Sequence, residues 1–133
     1  IVDREHFIFK PKYEAERLRG EELPKPWKAR KDYRGIAYGI RGNGKIVSCG
    51  SVENVHHGIA AAGGGMITDL DERGKGYATS TMSYAVRDAL DFVPIVTYAV
   101  ETDNTPAVTV LQKLGFRWHS SFLHTEMVKI RTC

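Results

Sequence analysis

Apolar and polar positions follow two different periods along this chain, and the change near residue 75 divides it. Before that point the apolar runs are short. RGIAYGI and KIVSCGSV flank Gly42-Asn43-Gly44, which predicts a β-hairpin, because Gly and Asn tolerate positive φ. A third apolar stretch runs from about Gly58 to Leu70 and contains Gly63-Gly64-Gly65. Three glycines in a strand forgo packing, so they mark a bulge, a bend or a close approach. Beyond residue 75 the period becomes helical. Ala78, Met82, Ala85, Val86, Ala89 and Leu90 fall on one face, predicting an amphipathic helix from Lys75 to about Asp91. Pro94 to Val100 reads as a buried strand. Thr105-Pro106 opens a second helix with Thr105 as cap, Ala107, Val110, Leu111 and Leu114 as its apolar face, and Gly115 as its stop. Two strands are expected after it, Phe116 to Ser120 and Phe122 to Ile130.

The first 33 residues are less patterned. Tyr13 to Gly20 reads as a short charged helix, and Pro24 and Pro26 forbid regular structure until about Asp32. Residues 1–33 are therefore set apart as an N-terminal segment, and 34–133 as the working domain. The strand–helix–strand step implies a parallel pair with a right-handed crossover. The outer hairpins are antiparallel, so the sheet is mixed.

Composition narrows the function classes. At 133 residues the chain is one domain, and 42% hydrophobic and 26% charged residues suit a soluble core-forming protein. A net charge of +3, evenly interleaved, gives no argument for nucleic acid or an anionic membrane. No apolar run approaches the ~18 residues of a membrane span. Cys49 and Cys133 form neither a disulfide framework nor a metal-ligand spacing. They read as free thiols in a reducing compartment, the cytoplasm. The chain starts at Ile1 without a signal peptide, which suggests a removed start or the C-terminal part of a longer protein.

The informative segment is Asp71-Glu-Arg-Gly-Lys-Gly-Tyr-Ala-Thr79, between a strand and a helix start. Backbone N–H groups are unpaired there and the helix dipole is positive. Two glycines let an anion approach the main chain, and Arg73 and Lys75 add charge, which is how a phosphate cradle is built. The plainer reading is a basic solvated turn. The segment lacks the Lys-Ser/Thr ending of a P-loop and the third glycine of a dinucleotide fingerprint.

Arg73-Gly-Lys-Gly-Tyr-Ala78 resembles the GNAT signature Arg/Gln-x-x-Gly-x-Gly/Ala at every defined position. Downstream, Glu101-Thr-Asp-Asn104-Thr-Pro-Ala107 and Leu111-Gln-Lys-Leu-Gly-Phe116 are similar to that family's second block. The resemblance runs from about Arg34 to Arg131. It implies the acyl-CoA N-acyltransferase fold, an α+β class with α/β/α layers. Its mixed, mostly antiparallel central sheet carries a parallel splayed pair at the cofactor site. It also implies acetyl-CoA as acyl donor, no metal, and direct transfer to a primary amine, such as that of a small metabolite or antibiotic.

Carried over residue by residue, the resemblance gives the pyrophosphate to Arg73, Gly74, Lys75, Gly76, Tyr77, Ala78 and Thr79. Pantetheine would pair with main-chain groups of Met66, Ile67 and Thr68, and Asn104 would lie near the cofactor. The glycine triplet is the candidate for the bulge that helps two strands splay. A backbone N–H from about Gly65 to Ile67 is the candidate oxyanion donor.

Two departures bear on mechanism. The family's acidic Tyr of the second block corresponds to Leu111, and the positions around Ala62, where many members carry a Glu base, hold no acid. A thiolate of pKa about 8.5 leaves with little help, so the loss touches mechanism more than activity. Substitute bases are His57 or His56, of which at most one faces the site, then Glu53 and Glu101. Each has a plainer reading: a turn histidine, a solvated carboxylate, a helix cap. Tyr98 reads as core or cleft wall, His119 and His124 as surface, and Trp27 and Trp118 as packing residues.

Two alternatives stay open: a longer-chain N-acyltransferase, and a non-catalytic CoA-binding module, motivated by the missing Tyr and Glu. A nucleotide-phosphate binder fits poorly, because no carboxylate is placed to hold Mg²⁺. The short N-terminal region suggests that an upstream domain, as in the glycine N-acyltransferase-like branch, or a homodimer partner completes the acceptor wall.

Overall fold

The computed structural model describes residues 1–23, 35–56 and 60–119. Its elements are β1 (Val2–Asp3), β2 (Glu16–Leu18), β3 (Gly35–Gly42), β4 (Lys45–His56), β5 (Ala60–Thr68), α1 (Tyr77–Leu90), β6 (Ile95–Thr97) and α2 (Thr105–Lys113). The strands form one sheet in the order β1-β6-β5-β4-β3-β2. All neighbours are antiparallel except β5 and β6, the pair joined through α1. This is the expected mixed α+β class, with one parallel pair among the described strands.

The β3–β4 hairpin turns on Asn43 (φ 53°) and Gly44 (φ 83°), the two left-handed positions of a tight hairpin turn. Alternation along β3 sends Ile36 and Tyr38 to one face and Ala37 to the other. The first face carries the main core, where Met82, Ala85, Val86 and Ala89 of α1 are all 0% exposed. Gly50 of β4 lets α1 approach closely: a Cβ there would stand 2.6 Å from Met82 Sδ. Leu111, Leu114 and Phe116 close the same core around the second helix.

The charged helix expected over Tyr13 to Gly20 is instead β2, followed by a short 3₁₀ turn at Gly20–Glu22. Tertiary partners override the helical pattern. Leu18 is buried with Ala37 and Cys49 on the sheet's second face, worth about 1.5–3 kcal/mol of apolar burial. Glu16 and Glu22 both pair with Arg41, at 2.6 and 2.8 Å, which fixes the segment to β3. The second helix also starts differently. Asn104 is its cap, accepting from Ala107 N–H at 3.3 Å, and Thr105 is its first residue. Phe116 to His119 form no strand, although Arg117 exchanges backbone hydrogen bonds with Ile1 at 2.8 and 2.9 Å. The connection around Pro24 and Pro26 with Trp27, the strand Phe122 to Ile130, His124 and Cys133 lie outside the described residues.

Candidate active site

The loop between β5 and α1 has the backbone geometry of an anion cradle. Gly74 (φ 81°) and Gly76 (φ 89°) both lie in the left-handed region, the conformation from which backbone nests that bind anions are built. Gly76 caps α1, and the first intrahelical bond is made by Ser80 N–H to Gly76 C=O at 3.2 Å. The N–H groups of Tyr77, Ala78 and Thr79 precede it and face the loop end of the helix. A Cβ at Gly74 would meet nothing within 4 Å, so the cradle is open to an approaching group. The side chains are less generous than the sequence suggests. Lys75 Nζ is held by Glu72 at 2.7 Å, which raises the ammonium's pKa, and Arg73 Nε donates to Thr68 C=O at 3.3 Å.

Beside the cradle, two strands part. Among the described residues, β5 pairs with β6 through Ala60↔Ile95, Ala61↔Val96 and Ala62↔Thr97. β5 then continues to Thr68 while β6 ends, which leaves Met66, Ile67 and Thr68 bonded to β4 on one edge and unmatched by β6 on the other. The glycine triplet sits at the point of parting. Ser51 pairs with Gly65 and Val52 with Gly63, so Gly64 is the extra residue of a β-bulge. Tyr98 fills the space over Gly63, where a Cβ would lie 2.0 Å from its ring. Burial pushes the Tyr98 phenol above its ordinary pKa, and its ring packs edge-on against Phe116 at 6.5 Å. Tyr98 is partly buried and packs against the main core.

On the other side of the bulge lies a carboxylate. Glu53 of β4 is 6% exposed and pairs across the sheet with Ala62. A Cβ at Gly64 would stand 2.3 Å from Ser51 Oγ and 3.2 Å from the Glu53 carboxyl carbon. Thus the position around Ala62, which holds no acid, has one directly opposite on the neighbouring strand. Cross-strand register is invisible in a linear sequence, so only the structure reveals this pairing. Ser51 Oγ beside it is buried with no hydrogen-bond partner among the described residues.

The remaining candidates scatter. Glu101 is exposed on the turn before α2, and its carbonyl accepts from Asn104 N–H at 3.0 Å. Asn104 is exposed and its side chain is engaged in capping. Leu111 is buried in the core, 6% exposed. His57 lies outside the described residues, His56 ends β4, and His119 is exposed. Among the described residues no group of three His, Cys, Asp or Glu could hold a metal ion. The sequence reading misses the N-terminal strap, residues 7–13, which lies along α1. Lys10 N–H bonds to Ser83 Oγ at 3.2 Å, and Lys12 and Tyr13 N–H bond to Ser80 Oγ at 2.9 and 3.1 Å. The available signal is Ser80 and Ser83 on a buried helix face, since fully buried hydroxyls require partners.

The sequence model of the acetyltransferase (GNAT) family matches residues 3–116. No curated protein matches the chain in sequence. Among solved structures it is similar to an IAA acetyltransferase from Bacillus cereus, with TM-score 0.65 and 19% identity over 80% of this chain and 77% of that one. It is similar to the aminoglycoside antibiotic 6'-N-acetyltransferase AAC(6')-IG from Acinetobacter haemolyticus (TM-score 0.56, 16% identity, 76% and 74% covered). A third likeness is to the aminoglycoside N-acetyltransferase AAC(6')-Iy in complex with CoA (TM-score 0.60, 13% identity, 77% and 81% covered). These structures share the fold, and the sequence model spans the cradle, the bulge and the splayed pair together. The chain belongs to the GNAT family of N-acetyltransferases.

Proposed function

We propose that this chain transfers the acetyl group of acetyl-CoA directly to a primary amine of a small-molecule acceptor. The observation that carries the reading is the parting of β5 from β6 after Ala62 and Thr97, with the glycine cradle where β5 leads into α1. The residues present fit a nucleotide diphosphate on an extended thiol arm. The cradle offers main-chain N–H groups and open approach at Gly74, and Met66 to Thr68 offer a free strand edge to a linear amide chain. Exposed Ile67 and Leu70 add apolar surface beside it.

In the transfer the amine lone pair attacks the thioester carbonyl, the new C–N bond forms, and the C–S bond breaks to expel the CoA thiolate, which takes up the proton that the nitrogen loses as it becomes an amide. The acceptor arrives as an ammonium and must first lose a proton. We assign that proton to Glu53, directly or through a water, because its buried carboxylate lies against the bulge. Backbone N–H groups at Gly65 to Ile67 are the candidates to receive the developing oxyanion. No acid is needed at Leu111, since the thiolate is a good leaving group. The acceptor wall is completed by an upstream domain or a second copy, because β1 and β2 contribute only two and three residues of strand. The compartment is the cytoplasm, where the buried thiol of Cys49 stays reduced.

The test is calorimetric titration with acetyl-CoA, CoA and ATP, followed by thiol release over an amine panel that includes aminoglycosides. Both CoA species bind and ATP does not, and Gly76→Asp removes binding because its carboxylate faces the diphosphate. Undiminished affinity in a folded Gly76→Asp would falsify the cradle. Tight CoA binding with no thiol release from any amine would leave a CoA-binding module without transfer.

A further inference from the structure

Segment 69–76 carries three carboxylates, Asp69, Asp71 and Glu72, against two cations, Arg73 and Lys75. Lys75 is already joined to Glu72. The loop's own side chains therefore present a net negative field to the diphosphate it is proposed to hold. The main-chain N–H groups and the helix dipole oppose that field, but a helix end carries only about half a charge. A further cation would offset it, and the fold brings one from far away in sequence.

That cation is on the strap. Ile8 N–H is fixed to Leu114 C=O at 3.0 Å, and Lys10, Lys12 and Tyr13 are fixed to the buried serines of α1. Tyr13 also packs edge-on against Tyr77, the first residue of α1, with centroids 4.8 Å apart. This anchoring lays the Lys12 stem against the cradle: its Cδ is 3.6 Å from where a Cβ of Gly76 would be. Lys12 is exposed and makes no ion pair with a carboxylate among the described residues. Its ammonium stands 5.6 Å from the centre of the neighbouring Tyr13 ring.

We propose that Lys12 is the third cation of the diphosphate site, delivered across α1 by the N-terminal strap. The inference rests on the proposed CoA reading and extends it to a residue outside both family-like blocks. The strap thereby couples the order of the N-terminal segment to cofactor affinity.

Titration of the whole chain with CoA and with 3'-dephospho-CoA tests this, using wild type, Lys12→Gln and Lys12→Arg, with thermal melting to verify folding. Lys12→Gln weakens both ligands by roughly tenfold, the value of one hydrogen bond to a charged group. Lys12→Arg keeps near wild-type affinity, and the penalty of Lys12→Gln shrinks at high salt. Equal affinities in wild type and a folded Lys12→Gln overturn the assignment. A loss confined to CoA also overturns it, by placing Lys12 at the ribose phosphate. Absence of wild-type binding to either ligand overturns the CoA reading itself, before any variant is compared.

Discussion

Glu53 is an ordinary-looking acid in the sequence, flanked by Val52 and Asn54, with no motif around it. Its distinction comes from position: buried, across from Ala62, and against the extra glycine of the bulge. Glu53→Gln keeps the shape and removes the proton acceptor. The expected result is a fall in turnover of at least about a hundredfold with acetyl-CoA affinity unchanged, read by steady-state kinetics beside calorimetry. Full turnover in Glu53→Gln would send the proton elsewhere. The left-handed turn at Gly74 and Gly76 is legible in the sequence because it is local. Glu53 stands there as one of several candidates, because a strand's facing residue depends on register. The approach of Lys12 to Gly76 is not legible at all, since nothing in its neighbours points to a helix start more than sixty residues away.

Elements with a strong period are legible in the sequence, and those held by distant partners are not. α1 begins at Tyr77 instead of Lys75 and ends within a residue of expectation, because its apolar stripe is continuous. β2 has a helical pattern of charges but is a strand, because charged residues at helical spacing do not reveal that Arg41 gathers Glu16 and Glu22. Leu111 shows the same division in α2. Its sequence position resembles a catalytic one, but its side chain belongs to the core. Leu111→Ala is expected to cost about 2–5 kcal/mol of stability, seen as a lower midpoint in urea, with CoA affinity retained in the folded fraction. A stable Leu111→Ala with lost turnover would give this position a role beyond packing.

For the molecule as a whole, the sheet buries the Cys49 thiol of β4 against Leu18 and Ala37, and that burial links stability to pH. Burial, with a smaller effect of the Asp69 charge, pushes the Cys49 thiol from 9.0 up to about 12. Below pH 9 the thiol is neutral in both folded and unfolded chains and adds no slope. From about 9 to about 12 the unfolded chain ionises while the folded one does not, so stability falls as pH rises. Urea melts between pH 8 and pH 11 should show this loss, and Cys49→Ala should lose less over the same range. An identical slope in Cys49→Ala would remove the linkage. The strap and β1 add to this unity, because both tie the first residues to elements near residue 80 and beyond residue 90.

The three glycines at 63 to 65 have a hereditary consequence. Gly63 is answerable to the Tyr98 ring, Gly64 to Ser51 and Glu53, and Gly65 (φ 136°) to its own backbone. Neighbours in the gene thus have unrelated correspondents in space. Drift at the first can be accommodated only alongside a smaller residue at 98, and drift at the second only alongside change in β4. Drift at the third has no compensating partner. A lineage can cross this short stretch by paired steps at two positions and by none at the last, so the bulge would change its sequence unevenly while keeping its shape.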